Sequence, residues 1–288
     1  EGVILDGRTA DAADVAEALK HTALPRRLPV IVFTDGQPFD RPEAVDLAMT
    51  KPPHPAQAAL RLEQLVRAAI AEEEVSQREA TFAARGAPLT LQDPEDSPLR
   101  VLAAGKPDHR FLALSNALSA AGCEVVAAPT PYTAFDYLHE RAFDAVVLWG
   151  GEDHAPAQSI AAGMKRNTRL YHIPAVLYVS GPGEINLAEL YGRGFADVAT
   201  ADTMEQETAD RIVALARTHR RHLAIRRTLE AARHSGLTDP STGLFTPPLF
   251  ASHLARVTES SRARRRPLSV RVLRITEGVL RVMATNRV

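Results

Sequence analysis

The sequence predicts an α/β protein with two doubly wound parallel sheets, followed by a smaller α+β unit of which only part is present. Three observations lead there. Short apolar runs ending in polar residues alternate with stretches of helical period, as strands joined by crossover helices do. The alternation occurs twice, up to residue 75 and again from residue 99, with a polar, proline-bearing linker at 76–98 between. An arginine-rich helical linker at 218–236 then leads to a different pattern over 237–288.

A chain of 288 residues, 45% of them hydrophobic, has room for two or three cores. The net charge of -1 hides an asymmetry, acidic over Glu72 to Asp96 and basic over Arg217 to Arg274. The single cysteine, Cys123, excludes an intrachain disulfide and is expected as a small buried apolar residue at a helix-strand junction. No apolar run approaches the roughly 18 residues that span a bilayer, and no basic-then-apolar export signal opens the chain. The expectation is a cytoplasmic protein without membrane insertion. Nucleic-acid binding is disfavoured, because the arginine block lacks aromatic residues and the overall charge is near zero.

In the first unit, Val3-Ile4-Leu5 reads as a short strand running into Asp6, and Asp11 to Lys20 as a crossover helix. Leu28 to Thr34 is a second strand ending in a hydroxyl. A weak third strand ends in Lys51 before Pro52. Ala56 to Ile70 is an amphipathic helix with Leu62, Leu65, Val66 and Ala69 as its apolar face. In a parallel sheet the carboxyl ends of neighbouring strands open on one crevice, so Asp6, Thr34 and Lys51 are expected to meet there.

This trio resembles the phosphorylation site of response-regulator receiver domains. The resemblance implies that Asp6 is the phosphoacceptor, that Thr34 bonds the phosphoryl group, that Lys51 is its cationic partner with a cis bond to Pro52, and that magnesium assists. A carboxylate attacks a phosphoryl donor only where positive charge offsets the negative charge that develops. The family's first strand, its acidic pair and its first two helices do not precede Glu1, and Thr34 to Lys51 is short for its fourth helix. Missing residues account for this better than erosion, since half a sheet cannot bury its own faces.

The second unit, 99–217, shows a complete five-fold alternation. The expected strands are Leu99 to Gly105, Cys123 to Ala128, FDAVVLW, IPAVLYVS and a short one to Ala199. Helices lie between them, with Phe111, Leu114, Leu118 and Ala121 at helical spacing. It also resembles a receiver domain, but Gly105 and Lys106 stand at the acidic pair, Trp149 at the phosphoacceptor and Ala201 near the lysine. The implied role is a pseudo-receiver acting as adaptor or dimer surface. Gly181, Gly183, Gly192 and Gly194 read as turn glycines, since no strand-to-helix GxGxxG contains them. Glu152, Asp153 and His154 read as a solvated loop, since their spacing matches no metal-ligand pattern.

Glu205 to His234 reads as one long helix with a broken apolar stripe. Its arginines, among them Arg217, Arg220 and Arg221, present planar cations suited to phosphates, or else a solvated face. Beyond it, LTDPSTGLFTPPLF forms a polar turn leading into a helix begun by Pro247 and Pro248, with Phe250, Leu254 and Val257 as the buried stripe. PLSVRVLRI reads as the next strand. The turn and helix start are similar to the opening of GGDEF domains, with Asp239, Thr242, Gly243, Leu244 and Phe250 in register and Thr246-Pro247 replacing an Asn-Arg pair. Asn286, Arg287 and Val288 are similar to the domain's end, and its GG(D/E)EF hairpin and RxxD motif are absent from between. The RxxD strings at Arg8 to Asp11 and Arg141 to Asp144 fall in the α/β units.

Receiver, receiver, GGDEF is the order of PleD-like response regulators, and the lost adaptor site points to their degenerate, PopA-like branch. That resemblance implies a two-component regulator whose non-catalytic output binds cyclic di-GMP, with contacts from Arg217, Arg220 and Arg221. Its partners are a sensor histidine kinase or phosphotransfer protein, a second copy in a homodimer, and proteolysis-adaptor or polar partners that place it at a cell pole. The alternatives are an active diguanylate cyclase using GTP and a phosphorylation-gated scaffold without a nucleotide.

Overall fold

The computed structural model describes residues 1–24, 26–49, 54–91, 97–150, 153–179, 186–201 and 203–272. The first sheet has three parallel strands, β1 (Val3–Asp6), β2 (Val30–Phe33) and β3 (Leu47–Met49), in that order. Helix α1 (Ala12–Ala23) connects β1 to β2, whereas between β2 and β3 there is only a 3₁₀ turn, Pro42–Ala44. One sheet face packs Val30 and Val32 with Ala16 and Val45, and the other packs Ile31, Leu47 and Met49 against Leu62 and Leu65.

Those last two leucines belong to α2 (Pro55–Ala83), a helix of 29 residues that begins with Pro55 at its first turn and a cap from His54 to the Ala56 amide. At 1.5 Å per residue it is roughly 43 Å long, and it runs straight through the expected boundary at residue 75. Its apolar face is not its most buried one. Leu62, Leu65 and Val66 are half-buried, while Gln57 and Arg61 are buried against the second unit. A hydrophobicity pattern finds the face turned to an apolar core, and this helix also has a polar contact to satisfy.

The second sheet comprises β4 (Leu99–Ala104), β5 (Cys123–Ala128), β6 (Ala145–Trp149), β7 (Ala175–Val179) and β8 (Asp197–Thr200), all parallel and ordered β5-β4-β6-β7-β8. Helices α3 (His109–Ala120) and α7 (Glu205–Ala231) cover one face through Phe111, Leu114, Leu118, Ala209, Ile212 and Ala216. Helices α4 (Pro131–Glu140), α5 (Ala155–Arg166) and α6 (Leu187–Gly192) cover the other. Central strands buried on both faces explain why β6 and β7 read as unbroken apolar runs. Cys123 opens β5 and is buried.

Helix α7 overruns its own unit by several turns and ends in a 3₁₀ turn, Ala232–His234. After an antiparallel bridge between Thr238 and Phe245, α8 (Pro247–Ala263) packs on α2. Its anchor is Leu249, only 1% exposed against Phe82 and Ala232, whereas Phe250 is 48% exposed. The expected stripe is thus one residue out of phase at its start, where Leu249 packs into the cluster of Phe82 and Ala232. Residues 267–272 form no strand, and Leu268, Val270 and Val272 are exposed. A strand needs a neighbour to complete its ladder, and the described residues provide none there. Lys51, Pro52, Glu152, Gly181, Gly183 and the Asn286 to Val288 tail lie outside the described residues. No helix among the described residues is long and apolar enough to cross a membrane.

Candidate functional site

Asp6 ends β1 opposite Phe33 of β2, so the next residue on β2, Thr34, lies across from Gly7. The approach is close: a Cβ on Gly7 would fall 2.8 Å from Thr34 Cγ2 and from Val32 Cγ2. Asp6, Arg8, Thr34 and Asp35 line a shallow cavity of about 280 Å³ with Ile4, Leu5 and Phe33. Two of the three expected residues are therefore brought together, and Lys51 lies outside the described residues.

The cation facing Asp6 is one that strand patterning did not single out. Arg8 Nε donates to Asp6 Oδ1 at 2.9 Å and Oδ2 at 3.1 Å, its Nη2 donates to Oδ2 at 2.6 Å, and its backbone amide donates to Oδ1 at 3.1 Å. These bonds to the ionised form hold the Asp6 carboxyl down at about 2. Thr34 is buried, and its hydroxyl donates to the Gln37 carbonyl at 2.5 Å while its amide ties β2 to β3 through Met49 O at 2.9 Å. As for magnesium, both Asp6 oxygens are bonded to Arg8, and the described residues hold no group of three or more metal-ligating side chains. Among the described residues, the cation bonded to Asp6 is Arg8.

The carboxyl edge of the second sheet carries an aromatic cluster. Trp149 ends β6 and stacks on Tyr178 of β7, with centroids 4.0 Å apart and planes 5° from parallel, and meets Phe111 edge-on at 5.5 Å. The indole Nε1 donates to Asp108 Oδ2 at 3.2 Å, while Asp108 Oδ1 caps α3 at the Phe111 amide. Gly105 has φ +139°, and a Cβ there would lie 2.5 Å from Trp149 Cβ. Neither Gly105 nor Trp149 has a side-chain oxygen that could accept a phosphoryl group. Asp153 caps α5 through the Ala155 amide at 2.9 Å, and His154 precedes that helix.

The three arginines expected to face an anion do not converge. Arg220 reaches Asp144, and also the carbonyls of Ser97 and of Pro98 (2.7 Å). Arg221 forms a fork on Glu72 of α2, with Nε to Oε1 at 2.7 Å and Nη2 to Oε2 at 2.9 Å. Only Arg217 is exposed. Two of the three are struts between elements rather than a solvated face.

The opening of the third unit is a tightly bonded loop. Asp239 Oδ1 accepts from the amides and hydroxyls of Ser241 and Thr242 at 2.6 to 3.1 Å, which lowers its carboxyl to about 2. Gly243 has φ +72° and donates to Asp239 O at 2.7 Å. Phe245 meets Phe82 of α2 edge-on at 5.8 Å and lies under the Arg78 guanidinium at 5.3 Å.

No protein-family model matches the chain, and no curated protein matches it. Among solved structures, a response-regulator structure from Chloroflexus aurantiacus is 18% identical with a TM-score of 0.38, over 42% of this chain and 98% of that one. A CheY-like receiver domain protein from Methanospirillum hungatei is 10% identical with a TM-score of 0.38, over 44% of this chain and 99% of that one. The receiver domain of NtrX from Brucella abortus is 20% identical with a TM-score of 0.34, over 44% of this chain and 98% of that one. The order β5-β4-β6-β7-β8, with helices on both faces, makes the second unit a doubly wound parallel α/β fold in its own right.

Proposed function

We propose that the chain is a response regulator in which Asp6 accepts a phosphoryl group from a histidine kinase or phosphotransfer partner. The observation that carries this is the meeting of Asp6 and Thr34 on one cavity at the carboxyl ends of adjacent parallel strands. An Asp6 oxygen forms a bond to phosphorus as the donor's own bond to phosphorus breaks, and Arg8 offsets the charge that develops. For this to occur Arg8 must release at least one Asp6 oxygen. The second unit is an adaptor without chemistry of its own, since Trp149 fills the matching position. Helix α2, which touches the Asp6 sheet, the adaptor and α8, carries the change between units.

In the finer reading, the output is a GGDEF-type unit that binds cyclic di-GMP as an effector and does not make it from GTP. It works as a cytoplasmic homodimer with proteolytic or polar partners. Supporting this are the Asp239 loop, which carries the residues of the GGDEF resemblance, and Thr246-Pro247 in place of its Asn-Arg pair, which favours the non-catalytic version. The test is incubation of the full chain with acetyl phosphate followed by intact-mass measurement. Wild type gains one phosphoryl group, Asp6→Asn gains none, and labelling of Asp6→Asn would refute the assignment. Calorimetry with cyclic di-GMP and a product assay with GTP separate effector from cyclase, and absence of both binding and turnover leaves the scaffold.

A further inference from the structure

Helix α2 carries a polar stripe, Gln57, Arg61 and Gln64, into its junction with the second unit. The surface it meets is the outer rim of β8, the last strand of that sheet. Gln57 Nε2 donates to Asp197 Oδ1 at 2.7 Å and to Val198 O at 3.2 Å, and Gln64 Nε2 donates to Ala196 O at 3.1 Å. Carbonyls two residues apart on a strand point the same way, so Gln64 closes an acceptor that a sixth strand would otherwise take, and Gln57 shares the Val198 carbonyl with Arg211 Nη2 at 2.9 Å.

Asp197 also has a cationic partner that does not come from α2. Asp197 is fully buried, and Arg211 of α7 reaches it with Nε to Oδ2 at 2.8 Å and Nη2 to Oδ1 at 2.6 Å, a two-pronged pair within the second unit. Arg61 is placed differently. It is 2% exposed, its Nη1 donates to Gln64 Oε1 at 3.0 Å, and its Nε meets no acceptor. Desolvation pushes its pKa down, Asp197 attracts it, and Arg211 repels it. A guanidinium taken from water without a carboxylate of its own weakens the contact that buries it, and an apolar side chain of similar volume often strengthens such a contact.

We infer that α2 docks on the β8 rim as a releasable clamp, in which Gln57 and Gln64 set the position and the buried Arg61 keeps the docked state easy to open. Opening returns Arg61 to water and leaves the Asp197–Arg211 pair intact. The inference stands apart from phosphorylation at Asp6 and is tested without a phosphodonor.

The experiment is amide hydrogen exchange on the full chain, read at β8 and at residues 57–69 of α2, with β6 as internal reference. Arg61→Met slows exchange at both places roughly tenfold, and Gln57→Ala speeds it by a similar factor, with β6 unchanged. Arg61→Gln removes the same charge with a polar side chain and acts in the same direction as Arg61→Met, which covers the case in which the methionine variant fails to fold. Exchange in Arg61→Gln that is unchanged or faster than wild type would overturn the clamp and make Arg61 an ordinary stabilising contact.

Discussion

Trp149 and Tyr178 are register partners on neighbouring parallel strands, and their rings lie flat on one another 4.0 Å apart at the carboxyl edge of the second sheet. The stack is buried, so Trp149→Ala removes a large core side chain and should cost about 3–5 kcal/mol of stability in urea unfolding. Gly105→Ala should cost about 2 kcal/mol through its positive φ and its clash. Because that clash is with Trp149 Cβ and backbone, the Gly105→Ala cost should persist in the Trp149→Ala background. Relief of the cost there would place the strain in the indole instead.

Removing the Arg8 fork should let Asp6 titrate like an ordinary carboxylate. In Arg8→Ala the Asp6 pKa should rise from about 2 toward roughly 3.9, followed by carboxyl-carbon NMR across pH. The sign is that of a depressed carboxylate. Its contribution to folding is complete above the unfolded pKa and fades as pH falls toward the folded one.

His219 is buried with neither ring nitrogen bonded, stacked on His172 at 5.1 Å. Burial first, then His172, His222 and Arg226, lower its pKa to about 4, against a weaker opposing pull from Asp144. The fold therefore favours the neutral ring. Stability from this group is complete above the unfolded value near 6.5 and is lost as pH falls toward 4, by about 3 kcal/mol. Chemical denaturation at a series of pH values should show this slope in wild type and a much flatter one in His219→Leu.

Arg220 and Arg217 differ by three residues on α7 and should differ sharply in effect. Arg220→Ala leaves the Asp144 carboxylate, also bonded to the Arg100 amide at 2.8 Å, without its guanidinium, and should cost about 3 kcal/mol. Arg217→Ala should stay within about 0.5 kcal/mol. Thermal unfolding separates the two. Equal effects would mean that Arg220 is not the strut its contacts describe.

How far the sequence was legible follows from what each position must satisfy. Asp6, Thr34 and Trp149 were legible because parallel strands announce themselves as apolar runs and their last residues mark the sheet edge. Arg8 was not, because a bond across a two-residue turn leaves no periodic trace. The buried stripe of α2 was missed for a related reason: Gln57 and Arg61 are inside by hydrogen bonding, which an apolar pattern cannot register. Leu249 and Phe250 are adjacent and both apolar, so an apolar pattern alone does not tell which one turns inward.

The long reach of α2 also bears on how this protein can be dissected. Its glutamines finish the rim of β8 from a preceding part of the chain, so residues 99–217 are not self-sufficient at that border despite their complete strand order. A fragment cut between residues 84 and 98 would present the bare carbonyl of Ala196, a Val198 carbonyl held by Arg211 alone, and half of an interface around Asp197. Such a fragment would be expected to self-associate, and a soluble version would have to begin upstream of Gln57.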